Sequence, residues 1–361
     1  MRLFAKYVLR TEGQTVNKSQ LYKILLVAMM GMSVSKVTIA ADSTSIAFAQ
    51  ELASITRAKA DHIDPHQRVA SLSYRAQNVK QPKELRIEAL RELANYPSQN
   101  ALVAVVRSLQ DYEPTIREAA IVGAAPYAIE YRWRMLEPLL TDRETKVRIT
   151  AATDLVRDFA NLKLKQQQRL EKPVAELITY LQAEQDQNSQ LLLADVYRWH
   201  HEWGQADKIY QMLAVRQPDN PEVWLSLADN YRAQEQDSLA IQTLNNAIKL
   251  NPDNAALHYS KSLALVRLDD KKTAAIEIEQ AAKIAEDNSY FWYLNGVLQE
   301  DYDLKKSVKS FEQAYLISGA PEQLYAVCDI YARYENPKTD QCLSELEKVA
   351  PQTVINGLKQ N

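Results

Sequence analysis

The sequence repeats itself at two periods, and that repetition limits the fold more than any other feature. Arg86, Arg117 and Arg148 stand 31 residues apart, and Ala89, Ala120 and Ala151 keep the same interval. Asp111 and Asp142 share it, each just ahead of a segment with helical spacing of apolar residues, where a carboxylate caps free backbone N–H groups. From about residue 187 an interval of 34 takes over, marked by Pro218-Asp219-Asn220, Pro252-Asp253-Asn254 and Glu286-Asp287-Asn288. Fixed periods of this size predict stacked helix pairs, because one pair cannot bury its own apolar face. The expected fold class is all-α, a double α-solenoid.

The unit over residues 221–254 carries Trp224, Leu227, Ala228, Tyr231, Ala240, Leu244, Ala247 and Pro252. This W-x2-L-[GA]-x2-Y pattern, with its later small residue and proline, resembles the tetratricopeptide repeat. About five such units fit residues 187–352. Lys261 and Asn295 depart from it, standing where leucine is expected. In residues 80–159 the pattern L-x-D-x4-[IV]-R-x2-A resembles short HEAT-type repeats, in which a loop Asp and a helix Arg bond between neighbours. A connector helix is expected over 160–186, begun by Pro173 and apolar at Val174, Leu177, Ile178 and Leu181. Residues 41–79 read as a helical lead-in, with short helices near 46–55 and 67–76, and 353–361 as a tail. The whole order also resembles the non-haem C-terminal half of bacterial multihaem cytochromes c. No CxxCH haem motif is present, so that resemblance implies only a periplasmic companion of a redox complex.

The N-terminus carries Arg2, Lys6, Arg10, Lys18 and Lys23 against Glu12. An apolar run of 11 follows at residues 24–34, then Lys36 and small residues up to Ala40-Ala41. Basic region, short apolar core and small residues predict a secretory signal over 1–40, cleaved after Ala40. The alternative is a retained membrane anchor, although such a span needs about 20 apolar residues and Lys36 interrupts this one. Residues 41–361 hold 37 basic and 45 acidic residues, a net charge of −8. An exported acidic chain without a basic patch is a poor nucleic-acid binder, since phosphate contacts supply most of that affinity.

Seven glycines, none within seven residues of another, leave no GxGxxG, P-loop or GxSxG motif. Two cysteines exclude Cys-rich metal sites. His200-His201-Glu202 lacks HExxH spacing, and His62 and His66 beside Asp61 and Asp64 read as a polar loop interrupted by Pro65. No enzyme, cofactor or metal is therefore expected. The expected function is an extracytoplasmic scaffold that binds a peptide or protein segment in the concave groove of its repeats. The alternative is an envelope biogenesis factor or accessory subunit acting through its convex face.

Candidate groove residues lie on the first helix of each 34-residue unit, the helix that lines the concave side of such arrays. Tyr259, Tyr293 and Tyr325 follow directly after His258, Trp292 and Leu324, the packing residues that open their hairpins. Asp195, Arg198, Asp229, Arg232, Arg267, Asp329 and Arg333 lie further along the same helices. These tyrosines contact a ligand, pack as core between hairpins or form an exposed but idle surface; all three readings fit the spacing. Cys328 and Cys342, 14 residues apart on the two helices of the last hairpin, either form a disulfide in an oxidising compartment or are two small buried residues.

Overall fold

The computed structural model describes residues 65–359, and every regular element in them is helical. The expected leader at 1–40, the short helix near 46–55 and the Asp61, His62 and Asp64 group lie outside the described residues. Helix α1 is Pro65–Gln77. Three pairs follow: α2 (Lys83–Leu93) with α3 (Gln99–Ser108), α4 (Pro114–Ala124) with α5 (Ile129–Leu136), and α6 (Thr145–Val156) with α7 (Leu164–Ala183). Five hairpins come next: α8 (Gln187–Trp199) with α9 (Trp203–Arg216), α10 (Pro221–Ala233) with α11 (Asp237–Leu250), and α12 (Ala255–Arg267) with α13 (Lys271–Ile284). The last two are α14 (Ser289–Gln299) with α15 (Leu304–Ser318) and α16 (Pro321–Arg333) with α17 (Thr339–Leu346); α18 is Gln352–Lys359. Contacts stay local along the chain: in the 31-residue block α2 packs chiefly on α4 and α4 on α6, and from α8 onward each helix packs mainly on its neighbours in sequence, the contact pattern of a solenoid.

Two expectations are corrected. Pro173 does not begin the connector helix. It is buried inside α7, which starts at Leu164 and packs back on α6 as the second member of a pair. The apolar spacing after Pro173 hid the polar first turns. The supposed tail contains α18, whose Ile355 and Leu358 are buried against the last hairpin. Two apolar residues at i and i+3 are enough for a short helix to cover the open end of the stack.

The 31-residue interval is a ladder of ion pairs. Arg86 on α2 reaches Asp111 at 2.5 Å, and Arg117 on α4 reaches Asp142 at 2.7 Å. Arg148 on α6 pairs with Glu176 on α7. Each Asp also accepts a backbone N–H two residues on, from Glu113 or Glu144, both at 2.9 Å. Arg117 donates further to the carbonyls of Asp111 and Tyr112, and Arg148 to those of Asp142 and Arg143. One buried guanidinium thus closes its own loop and holds the next. One apolar cluster runs from Val69 to Leu227, so the core continues across residue 186, where the period changes.

The 34-residue interval sets three local devices. Asn220, Asn254 and Asn288 cap their helices, accepting N–H bonds from Glu222, Leu257 and Tyr290. Trp224 Nε1 donates to the Pro218 carbonyl at 2.8 Å and Trp292 Nε1 to that of Glu286 at 2.9 Å; His258 Nε2 faces the Pro252 carbonyl at 3.2 Å. His201, Glu235 and Asp269 turn each first helix into its second with φ of 67°, 60° and 61°. The following N–H returns to a carbonyl five residues earlier, as from Gln236 to Tyr231 at 2.9 Å. The departures at Lys261 and Asn295 are paired across their hairpins: Lys261 with Glu277 at 2.6 Å, and Asn295 with the Ser310 hydroxyl at 2.9 Å. Gly296 is required by close approach, since a Cβ there would sit 2.8 Å from the Phe311 ring.

Cys328 and Cys342 are joined by a disulfide, with Cα atoms 5.4 Å apart. It links α16 to α17 inside the last apolar cluster.

Three outcomes follow from these contacts. A left-handed backbone costs a residue with a side chain about 1–2 kcal/mol, partly offset for glycine by its freer unfolded chain. Glu235→Gly therefore raises the unfolding free energy measured in urea by up to about 1 kcal/mol, and Glu235→Val lowers it; the opposite order contradicts the turn. Asp142→Ala strands the Arg117 guanidinium and destabilises by about 3 kcal/mol. Burial opposes ionisation of Asp142, but the Arg117 and Glu144 hydrogen bonds outweigh it and hold its carboxyl below the usual range. The stability from this pair is present at neutral pH and fades as pH falls below about 4, a loss that urea titrations of Asp142→Ala do not show. Opening the disulfide in a Cys328→Ser/Cys342→Ser variant costs about 3 kcal/mol for a loop of this length, read as lost amide-exchange protection in α16 to α18.

Candidate functional site

Helix α8 packs on α10, and α10 on α12, in addition to their hairpin partners. The first helices of these three hairpins therefore form a layer of their own, which the ring contacts of Tyr259 carry on to α14. Consensus positions of these helices point between hairpins: Leu227, Ala228, Tyr197 and Tyr331 are buried there. Residues at other positions of the same helices form the candidate surface.

The structure brings three tyrosine-bearing helices together. Tyr259 on α12 is half-buried, with ring centroids 6.3 Å from Tyr290 and 5.1 Å from Phe291 on α14. Its hydroxyl bonds that of Tyr290; burial first, and then the Tyr290 hydroxyl, push its pKa well above the ordinary phenol value. Tyr293 on α14 is half-buried and packs edge-on against Phe311 of the second helix, centroids 5.6 Å apart. Tyr325 on α16 is 40% exposed and Tyr290 39% exposed. Burial raises the pKa of Tyr293 above the ordinary phenol value, and Tyr290, Asp329 and Tyr325 add to the shift. The result is one strip, Tyr259–Tyr290–Tyr293–Tyr325, crossing the first helices of three consecutive hairpins. Tyr290 was missed by sequence reasoning. Its signal was its place three residues before Tyr293, which puts both on one helical face.

The charged candidates are all engaged. Arg198 donates to Asp195 and to the Tyr210 hydroxyl, with its guanidinium close to Trp199. Tyr210 in turn donates to Asp195 at 2.6 Å, and burial pushes its phenol strongly up. This triad lies inside the first hairpin rather than with the tyrosines. Arg232 pairs with Asp229, and both lie close enough to Tyr259 to act on its charge state. Arg267 turns to Asp237 at the start of α11, 2.8 Å from its Nε, and so ties two hairpins together. Arg333 joins Asp329, 2.8 Å from its Nε, to Glu300 at the end of α14. Burial holds Asp329 above the usual carboxylate range despite Arg333. Arg232 and Arg333 thus flank the strip, whereas Arg198 and Arg267 serve packing between helices.

Among the described residues no three His, Cys, Asp or Glu side chains gather closely enough to hold a metal. The His200 ring bridges Glu171 of α7 at 3.2 Å and Glu202 at 2.9 Å, edge-on to Phe159, at the joint where the period changes. No helix among the described residues is long and apolar enough to cross a membrane.

Comparison with known proteins places the repeat directly. Residues 228–269 match the family described as TPR repeat. No curated protein matches the sequence. Solved structures that resemble it include YrrB, "a TPR protein with an unusual peptide-binding site", at 17% identity and TM-score 0.40, covering 52% of this chain and 98% of that one. MamA from Desulfovibrio magneticus RS-1 resembles it at 15% identity and TM-score 0.37, covering 44% and 92%. A thermophilic TPR protein of Thermus thermophilus, TTC0263, does so at 18% and 0.34, covering 58% and 97%. The described chain is an all-α solenoid with a tetratricopeptide repeat at residues 228–269.

Proposed function

We propose that this protein is a non-enzymatic, extracytoplasmic interaction scaffold that holds a peptide or protein segment against the first helices of its C-terminal hairpins. The observation that carries the reading is the tyrosine strip. Two of its four rings, Tyr290 and Tyr325, are large, partly apolar and exposed, and the other two are fixed by neighbours. Tyrosine supplies contact area at low entropy cost and keeps a hydroxyl for a backbone carbonyl. Repeat stacking curves such arrays and makes this layer an extended binding surface. The leader pattern of residues 1–40 and the Cys328–Cys342 bridge both support export, since a disulfide persists in an oxidising compartment. We read residues 80–159 as HEAT-like repeats that extend the scaffold through the ion-pair ladder, with no haem chemistry of their own.

A photocrosslinking amino acid placed at Tyr325 or Tyr290 in cells is expected to yield a discrete adduct, with none from Leu239 or Ile276, exposed on the second helices. Adducts from the second-helix positions alone overturn the groove and favour an accessory acting through the other face. Tyr290→Ala with Tyr325→Ala weakens binding of the crosslinked partner by at least about tenfold and leaves the unfolding temperature within about 2 °C. A large loss of stability means that these rings are core.

A further inference from the structure

The charge of this chain is not spread evenly. Residues 41–186 hold 20 basic and 20 acidic side chains, whereas residues 187–361 hold 17 basic and 25 acidic, a net charge of −8. The whole acidic excess lies in the part that carries the hairpins. The same bias recurs beside the tyrosines. On α16, Glu322 lies three residues before Tyr325 and Asp329 four after it, which places all three on one face. Glu322 is exposed. Glu300 at the end of α14 and Asp329 both hold Arg333, and the Tyr334 hydroxyl also donates to Glu300. On α10, Glu222 is exposed in the same register, and Asp229 is matched one to one by Arg232.

Aromatic faces and carboxylates favour the same kind of ligand. A phenol ring presents negative π density to a cation at about 6 Å or less from its centroid. A neighbouring carboxylate adds a charge-assisted hydrogen bond to an ammonium or guanidinium. An acidic segment meets the opposite field, and both guanidiniums near the strip are already paired. A flat neutral segment would use the rings and make no use of the exposed Glu322. Resting on the groove reading above, we propose that the occupant of the Tyr259–Tyr290–Tyr293–Tyr325 strip is an extended segment of a partner protein bearing lysine or arginine, seated with its cations over the Tyr290 and Tyr325 rings and toward Glu322. The long-range field of the hairpins steers that segment in and makes its capture salt-dependent.

The test is selection of dodecapeptides from a phage-displayed library on the full chain, followed by fluorescence anisotropy with the best peptide made synthetically. The expected peptides are enriched in lysine and arginine. Their affinity falls at least about tenfold on replacing those residues by glutamate, on Tyr325→Ala, and between 50 and 500 mM NaCl. It falls about threefold or more with Glu322→Gln, which preserves shape and removes one charge. Neutral or acidic peptides that still depend on Tyr290 and Tyr325 overturn the cationic occupant and leave the groove standing. Peptides indifferent to both tyrosines, or no selected peptide at all, overturn the groove and this inference with it.

Discussion

Each helix pair here is completed by its neighbour, and the clearest case is a buried arginine shared between successive pairs. Arg86 and Arg117 each reach an aspartate at the start of the next pair, the half-buried Arg148 reaches Glu176 on its own partner helix, and Arg117 and Arg148 also close their own loops through backbone carbonyls. A guanidinium with five donors in a fixed fork can hold two segments at once, as lysine's single ammonium cannot. The cost of burying that charge is offset only while its carboxylate stays in place. The hairpins use milder ties: asparagine caps, indole-to-carbonyl bonds, and the cross-hairpin pairs of Lys261 and Asn295. The apolar cluster from Val69 to Leu227 shows that the two systems meet without a gap in the core.

That architecture divides the tyrosines into two populations. Tyr197, Tyr210 and Tyr331 are buried, with hydroxyls bonded to Gln182, Asp195 and Glu312. Tyr290 and Tyr325 lie on the same layer of first helices but face outward. Tyr259 and Tyr293 stand between the two, each half-covered by an aromatic neighbour. A surface built this way is stiff, because each ring is set by a helix and by the ring beside it. Stiffness reduces the ordering cost of binding.

Much of this was legible in the sequence because periodicity reports packing. The intervals of 31 and 34 located the helix pairs, and the Asp–Arg spacing anticipated a bond between neighbours. The residues that escaped were those whose role depends on a partner distant in sequence. Arg267 shares its helix with Tyr259, yet it turns to Asp237 thirty residues earlier, a choice fixed by the stacking of hairpins. Arg198 is held by Tyr210 on its partner helix. Pro173 looked like a helix start because proline is favoured there, but packing on α6 keeps it inside α7. Tyr290 has no counterpart at its position in the neighbouring hairpins, so no interval pointed to it. Helix α18 is too short for periodicity to declare itself.

The division of the tyrosines is the claim on which both fold and function rest, and chemical modification reads it directly. Acetylation of the native full chain with N-acetylimidazole, resolved residue by residue with mass spectrometry, is expected to modify Tyr290 and Tyr325 readily and Tyr293 slowly. Tyr210, fully buried, stays unmodified until the chain unfolds. Rapid modification of Tyr210, or protection of Tyr290 and Tyr325 equal to that of Tyr210, would contradict the placement of these helices.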